Sequence, residues 1–245
     1  MLETLILAAG KGTRMKSKLP KVLHKIGGKP MLRHVIDAAK RAGSTREVVV
    51  IGAGAEMVEQ EIADVEFVMQ VKQLGTGHAV LCAKENFANS TGTLLILCGD
   101  TPLLTSDLLK KFIAAHEESN CAVTVLTAEM PDATGYGRVI REDDGTFKKI
   151  VEDKDANAIE KQIREVNAGV YCADVRKLFG ALDKVKNDNA QGEYYLPDVL
   201  TVLKNSGKKI SIFKTEDFTS TLGINSRVQL AEAEKILRRR KNLFD

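Results

Sequence analysis

Apolar positions recur along this chain with two alternating periods. Short runs rich in leucine or β-branched residues, at 4–9, 48–52, 65–69, 93–98 and 122–128, read as strands. Between them, 31–42, 56–63, 77–86 and 106–118 carry the three-to-four spacing of helices. Strand and helix alternating in this way predict a mostly parallel sheet covered by helices on both faces. Leu94, Leu95, Ile96 and Leu97 are consecutive apolar residues, as a central strand buried on both sides requires. Gly43 reads as a helix stop and Thr105-Ser106-Asp107 as a helix start.

The pattern changes after about Pro131. Segments 139–141, 146–150 and 165–172 read as strands, the first two broken by a turn at Asp144-Gly145, in the manner of an antiparallel or mixed lobe. Helical spacing returns at 174–182 and 196–205, and a strand follows at 210–214. An amphipathic helix over about 226–241 turns Val228, Leu230, Ala231, Ala233, Ile236 and Leu237 to one side. The expected fold is a single α/β domain over 1–245. A Rossmann-like part runs to about 130, a smaller β-rich lobe and its return to the sheet occupy about 131–225, and the last helix closes the chain.

Composition narrows the function. Over 245 residues, 44% hydrophobic and 28% charged is globular, and Lys+Arg 36 against Asp+Glu 33 leaves a formal charge of +3. That balance points to neither nucleic acid nor an anionic membrane as partner. With no apolar run near the ~20 residues of a membrane span and no basic, apolar leader, the expected compartment is the cytoplasm. Cys82, Cys98, Cys121 and Cys172 form no C-x-x-C pair and read as buried free thiols rather than disulfides or metal ligands. The basic run Arg238–Lys241 reads as a solvated helix end.

The most informative stretch, Leu7-Ala8-Ala9-Gly10-Lys11-Gly12-Thr13-Arg14-Met15, directly follows the first strand. Small residues there let the backbone approach a ligand, and exposed N–H groups suit anions. A dinucleotide fingerprint would need glycine where Met15 stands, and the P-loop order of glycine, lysine and hydroxyl is missing. A plain tight turn is the alternative. Arg14, Lys18, Lys21 and Lys25 follow closely, so glycines and cations together suggest a triphosphate site, with an exposed basic loop as the other reading.

L-A-A-G-x-G-T-R-M followed by L-P-K-V-L resembles the sugar-nucleotidyltransferase superfamily. The similarity is greatest to the uridyltransferase domain of bacterial N-acetylglucosamine-1-phosphate uridyltransferases. It continues through Gln73–Ala79, Cys98–Leu103, Thr134–Arg138, Ile150–Glu152, Val166–Gly169, Asn189–Tyr195 and Leu222–Asn225. The resemblance implies a GT-A-like fold and transfer of the uridylyl group of UTP to N-acetylglucosamine 1-phosphate, giving UDP-N-acetylglucosamine and pyrophosphate. It also implies Mg²⁺ and a place in bacterial cell-wall precursor synthesis. By resemblance Arg14, Lys21 and Asp100 are catalytic, and Asp100 and Asn225 hold the metal. Leu7, Ala8, Ala9, Gly10, Gln70, Gly75 and Thr76 would bind the nucleotide, and Gly137, Glu152, Asn167 and Tyr195 the sugar. Pro197 stands where some relatives carry a polar residue.

Residue chemistry is compatible with these roles. An incoming phosphate oxygen is itself the nucleophile, so catalysis reduces to positioning and charge stabilisation. A carboxylate ending the most apolar strand is costly unless it meets a cation or donors. Taken singly, though, Asp100 also reads as a helix-cap or turn aspartate, Asn225 as the cap of the last helix, and Glu152 as a solvated charge. His78 reads as a packing or capping residue. Bifunctional members of the family continue into a left-handed β-helix built on hexapeptide repeats. None is visible here, so the expectation is a chain without the acetyltransferase activity and with no predicted trimer. The oligomeric state stays open. Activity on another sugar 1-phosphate, as a uridylyl- or thymidylyltransferase, or a non-catalytic nucleotide-sugar sensor, are the competing functions.

Overall fold

The computed structural model describes residues 1–242. Strand β1 (Leu2–Leu7) leads through 3-10 turns at Thr13–Met15 and Lys21–Leu23 to a small hairpin, β2 (Lys25–Ile26) and β3 (Lys29–Pro30). Then come α1 (Met31–Arg41), β4 (Glu47–Ile51), α2 (Ala55–Glu61), β5 (Glu66–Met69), α3 (Thr76–Cys82), β6 (Thr93–Cys98), α4 (Ser106–Ser119) and β7 (Val123–Glu129). The hairpin β8 (Arg138–Arg141) and β9 (Phe147–Val151) precedes β10 (Glu165–Asp174), α5 (Val175–Leu182), α6 (Asp198–Asn205), β11 (Ile210–Thr215) and α7 (Arg227–Asn242).

The main sheet runs β11-β7-β10-β6-β1-β4-β5. β5, β4, β1 and β6 are mutually parallel, whereas β10 lies antiparallel between β6 and β7. The parallel expectation therefore holds for one half, and the sheet as a whole is mixed. The β-rich lobe is not a separate layer: β8 joins the same sheet through the pairing of Arg138 with Val166 of β10.

β6 explains its own unbroken apolar run. Leu94 and Ile96 pack with Leu5, Val48, Val80, Leu178 and Leu200 on one face, under α3, α5 and α6. Leu95 and Leu97 pack with Ile6, Val35, Val49 and Phe112 on the other, under α1 and α4. Alternate residues of a strand point oppositely, so two covered faces leave no polar position. Each of these four fully buried side chains anchors the strand by about 1.5–3 kcal/mol. Thr105 caps α4, its side chain accepting from Leu108 N at 3.2 Å.

Two readings of the sequence change. Arg240, expected to be solvated, donates to Leu103 O, Asp217 Oδ2, Thr219 Oγ1 and Ser220 Oγ, and so ties α7 to the body. The side chain of Lys241 falls outside the described part. The cysteines are all free, as expected, but only Cys172 is fully buried, because the other three sit at element ends. Among the described residues, no helix is long and apolar enough to cross a membrane.

Candidate active site

The ends of β1 and β6 lie side by side: Gly99 N donates to Leu7 O at 2.9 Å. At this edge the chain leaves the sheet through small residues, which opens a cavity of about 350 Å³. Leu7, Ala8, Ala9, Gly10, Lys21, Gln70, Gly75, Thr76 and Asp100 all line it, together with Lys11, Gln73 and Glu193. Lys11 and Glu193 were not among the candidates. Lys11 could have been found as the cation adjoining Gly10. Glu193 comes from the far end of the sequence, within the Asn189–Tyr195 segment that carries part of the resemblance.

Glycine matters at two points here. Gly12 has φ +60, and a Cβ on it would lie 2.6 Å from Lys21 Cβ, so the glycine lets Lys21 press against the loop. Gly75 has φ +109, and its Cβ would lie 2.5 Å from Tyr194 O. The 193–195 segment thereby closes over the start of α3, where Gly77 N donates to Tyr194 O at 2.7 Å.

Lys21 is held at the centre of the site. Its ammonium donates to Asp100 Oδ2 and, at 2.9 Å, to Asn225 Oδ1. Asn225 is placed by two further bonds. Ile224 N donates to the Asp100 carbonyl at 2.8 Å, and Asn225 N to Gln229 Oε1 at 2.8 Å. Ser226, not Asn225, caps α7, accepting from Gln229 N at 3.2 Å. The Asn225 amide oxygen is thus turned toward Asp100. A carboxylate and an amide oxygen converging on one cationic group form a hard-oxygen donor set of the kind divalent cations take. They therefore fit the metal implied by the resemblance.

Gln70 sits at the end of β5 and is 3% exposed. Its Nε2 donates to Gly75 O at 3.1 Å and lies 3.0 Å from His78 Nδ1. Both hydrogens of the amide nitrogen are therefore used within the protein.

Asp100 also lines a second cavity, of about 180 Å³, with Gly137, Glu152, Asn167 and Asn225. A smaller one of about 70 Å³ joins Leu7 and Thr76 to Glu152, Asn167 and Pro197. Asn167 is braced from both ends: its Oδ1 accepts from Gly169 N at 3.0 Å and its Nδ2 donates to Tyr171 Oη at 2.6 Å. Burial pushes the Glu152 carboxyl up to about 7, helped by Asp198, Asp155 and Asp153 and opposed by Arg138. Glu152 is therefore no solvated charge. Asp198 rises to about 6, again through burial and then Asp155. Arg138 pairs with Asp153 at 2.9 Å and is 3% exposed, so one cation is locked beside this acidic group.

Four candidates are placed differently from the rest, and one of them, Lys18, is exposed and lines none of these cavities. Arg14 is exposed in the first 3-10 turn and lines neither cavity. Lys25 faces a separate groove with Leu19 and Met57. Tyr195 is buried and lines neither of the cavities at Glu152, its hydroxyl donating to Asp155 Oδ2 at 3.3 Å. Cys98 lies between the cavities, and burial raises its thiol to about 12, which leaves it an unreactive wall.

The chain is similar along nearly its whole length to known proteins. The bifunctional protein GlmU of Bacillus cytotoxicus is 52% identical over 239 residues, covering 97% of this chain and 52% of that protein. GlmU of Shouchella clausii is 53% identical over 97% of this chain and 53% of its own length. The chain thus spans about half the length of the curated relatives it matches. Among solved structures, a UDP-glucose pyrophosphorylase complexed with UDP-glucose superposes with a TM-score of 0.79 at 20% identity, covering 98% of this chain and 100% of the other. A putative glucose-1-phosphate thymidylyltransferase from Bacillus anthracis gives 0.77 at 19%, over 97% and 96%. Both share the fold. The model of the MobA-like NTP transferase domain matches residues 4–194, from the first strand to the tyrosine that closes over α3, and the chain belongs to that family.

Proposed function

We propose that the protein transfers the uridylyl group of UTP to N-acetylglucosamine 1-phosphate in the cytoplasm, releasing pyrophosphate. The observation that carries this reading is the position of Asp100, on the wall of both cavities at the tip of the central strand. One cavity takes the nucleotide against the loop 7–10, the other takes the sugar phosphate against Glu152 and Asn167, and the two meet at the carboxylate. Its 52% identity to GlmU proteins over 97% of the chain supports the choice of substrates.

In this reading an oxygen of the sugar phosphate forms a bond to the α-phosphorus of UTP. The bond from that phosphorus to the bridging oxygen breaks, and pyrophosphate leaves with the electron pair. No protein nucleophile is needed. Asp100 and Asn225 would hold Mg²⁺, which supplies neutralisation of phosphate charge. Lys21, once a metal takes its place on Asp100 and Asn225, and Lys11 would face the phosphate oxygens, with Arg14 meeting the outer end of the triphosphate from its exposed turn. Asn167, the Gly137 backbone and Glu152 present a donor, an acceptor and a titrating carboxyl to sugar hydroxyls and the acetamido group. Tyr195 supports that wall from behind through Asp155.

Pyrophosphate release should be seen with UTP and N-acetylglucosamine 1-phosphate together and should stop with EDTA. A preference for glucose 1-phosphate, or turnover untouched by EDTA, would overturn the assignment.

A further inference from the structure

Among the polar side chains lining the nucleotide-side cavity, Gln70 can present either of two opposite groups to a base. A primary amide offers a carbonyl oxygen on one side and an NH₂ group on the other, and rotation by half a turn exchanges them without changing shape. What faces the cavity depends on what holds the far side.

The far side is held by two acceptors. Gly75 O can only accept, so the Gln70 atom 3.1 Å from it is the nitrogen. The second hydrogen of that nitrogen points at His78 Nδ1, 3.0 Å away, which must then accept and carry its proton on Nε2. His78 stands in the first turn of α3, its ring centroid 6.5 Å from that of Tyr194 and its Nδ1 also 3.7 Å from Cys82 Sγ. Among the described residues nothing bonds to Gln70 Oε1, and Gln70 keeps its 3% of exposed surface as a wall of the cavity.

We propose that His78 is a positioning residue for base selection: by accepting from the Gln70 amide it locks the carbonyl oxygen toward the cavity, where it accepts from a pyrimidine ring N–H. The inference rests on the nucleotidyl-transfer reading above. Uracil carries a hydrogen on its ring N3, whereas cytosine has a lone pair there, so cytosine would set lone pair against lone pair. The lock does not separate uracil from thymine, whose edges are the same. A misplaced amide costs selectivity sharply because a buried polar group is then left unpaired.

The test compares kcat/KM for UTP and CTP in the wild type, His78→Phe and His78→Asn, followed as pyrophosphate release. Phenylalanine keeps the ring against Tyr194 but removes the acceptor. Asparagine restores an acceptor close to the Nδ1 position. The expected result is a UTP:CTP preference lowered about tenfold or more in H78F, carried by the KM for UTP, with the KM for the sugar phosphate unchanged and the preference restored in H78N. An unaltered preference in H78F, or an equal loss in both variants, would overturn the role of His78. A wild type that turns over no nucleoside triphosphate would instead overturn the functional reading on which the inference stands.

Discussion

Replacing Glu152 by glutamine removes one titrating proton from a half-buried carboxyl while keeping its shape. Burial, with Asp198, Asp155 and Asp153 adding, carries this carboxyl from its ordinary 4.5 to about 7. The unfolded chain releases the proton near 4.5, whereas the folded protein keeps it until about 7. Across that window the folded state binds more protons, so stability falls as pH rises. At about 1.4 kcal/mol per pH unit, the loss from below 4.5 to above 7 is roughly 3 kcal/mol. Glu152→Gln has no such proton. Relative to the wild type it should therefore gain roughly 3 kcal/mol between pH 4 and pH 8, read from urea denaturation followed by circular dichroism at several pH values. Asp198, raised to about 6, contributes with the same sign in both proteins. The Asp198 charge also raises Glu152, so the two carboxyls titrate as a coupled pair and the difference between the proteins reads that pair. Stability curves that stay parallel over that range would refute the argument.

Two further outcomes follow from the polar cluster at the tip of β6. Asp100→Ala should cut turnover by orders of magnitude with the melting temperature nearly unchanged, because the backbone of residue 100, not its carboxylate, anchors Ile224; retained turnover would remove Asp100 from the chemistry. Lys21→Met should abolish efficient use of the triphosphate yet let Mn²⁺ bind the free protein several-fold more tightly, measured by electron paramagnetic resonance, since the ammonium now neutralises Asp100 and engages Asn225. Equal or weaker Mn²⁺ binding would show that the lysine does not compete for those oxygens.

Local pattern was enough to place the long strands and the helices, most clearly where an apolar period matches a covered face, but the two-residue strands of the β2–β3 hairpin carry no period to read. The run Leu94–Leu97 even revealed that both sides of its strand are covered. Strand order was not legible: β10 enters between β6 and β7 through pairings such as Tyr171 with Ile96 and Val125, set by contacts remote in sequence. The same limit applied to the site. The Gly10 loop announced itself, but the run Glu152-Asp153-Lys154-Asp155 looks like ordinary surface. Only Glu152 of that run lines a cavity, and its buried setting comes from contacts remote in sequence, Asp198 of α6 among them. Gln70 and His78 are eight residues apart across a loop and a helix start, a spacing with no period of its own. Arg14 stood out as a cation in the glycine loop, and the turn at Thr13–Met15 leaves it on the surface.

β10 has a consequence for how the molecule can deform. Asn167, near its start, lines the cavity that holds Glu152, and its last four residues pair with β6 just below the edge that carries Asp100. One continuous backbone thus acts as a splint beside both cavities. Rigid rotation of one compartment over the other would tear central ladder bonds, so any tightening around substrates falls to peripheral segments such as 193–195 and 222–225. The one soft joint is the register shift between Asn167 and Tyr171, where Gly169 bends the strand with φ +72. An attempt to graft a different sugar-recognition lobe onto this scaffold would best place its seam there.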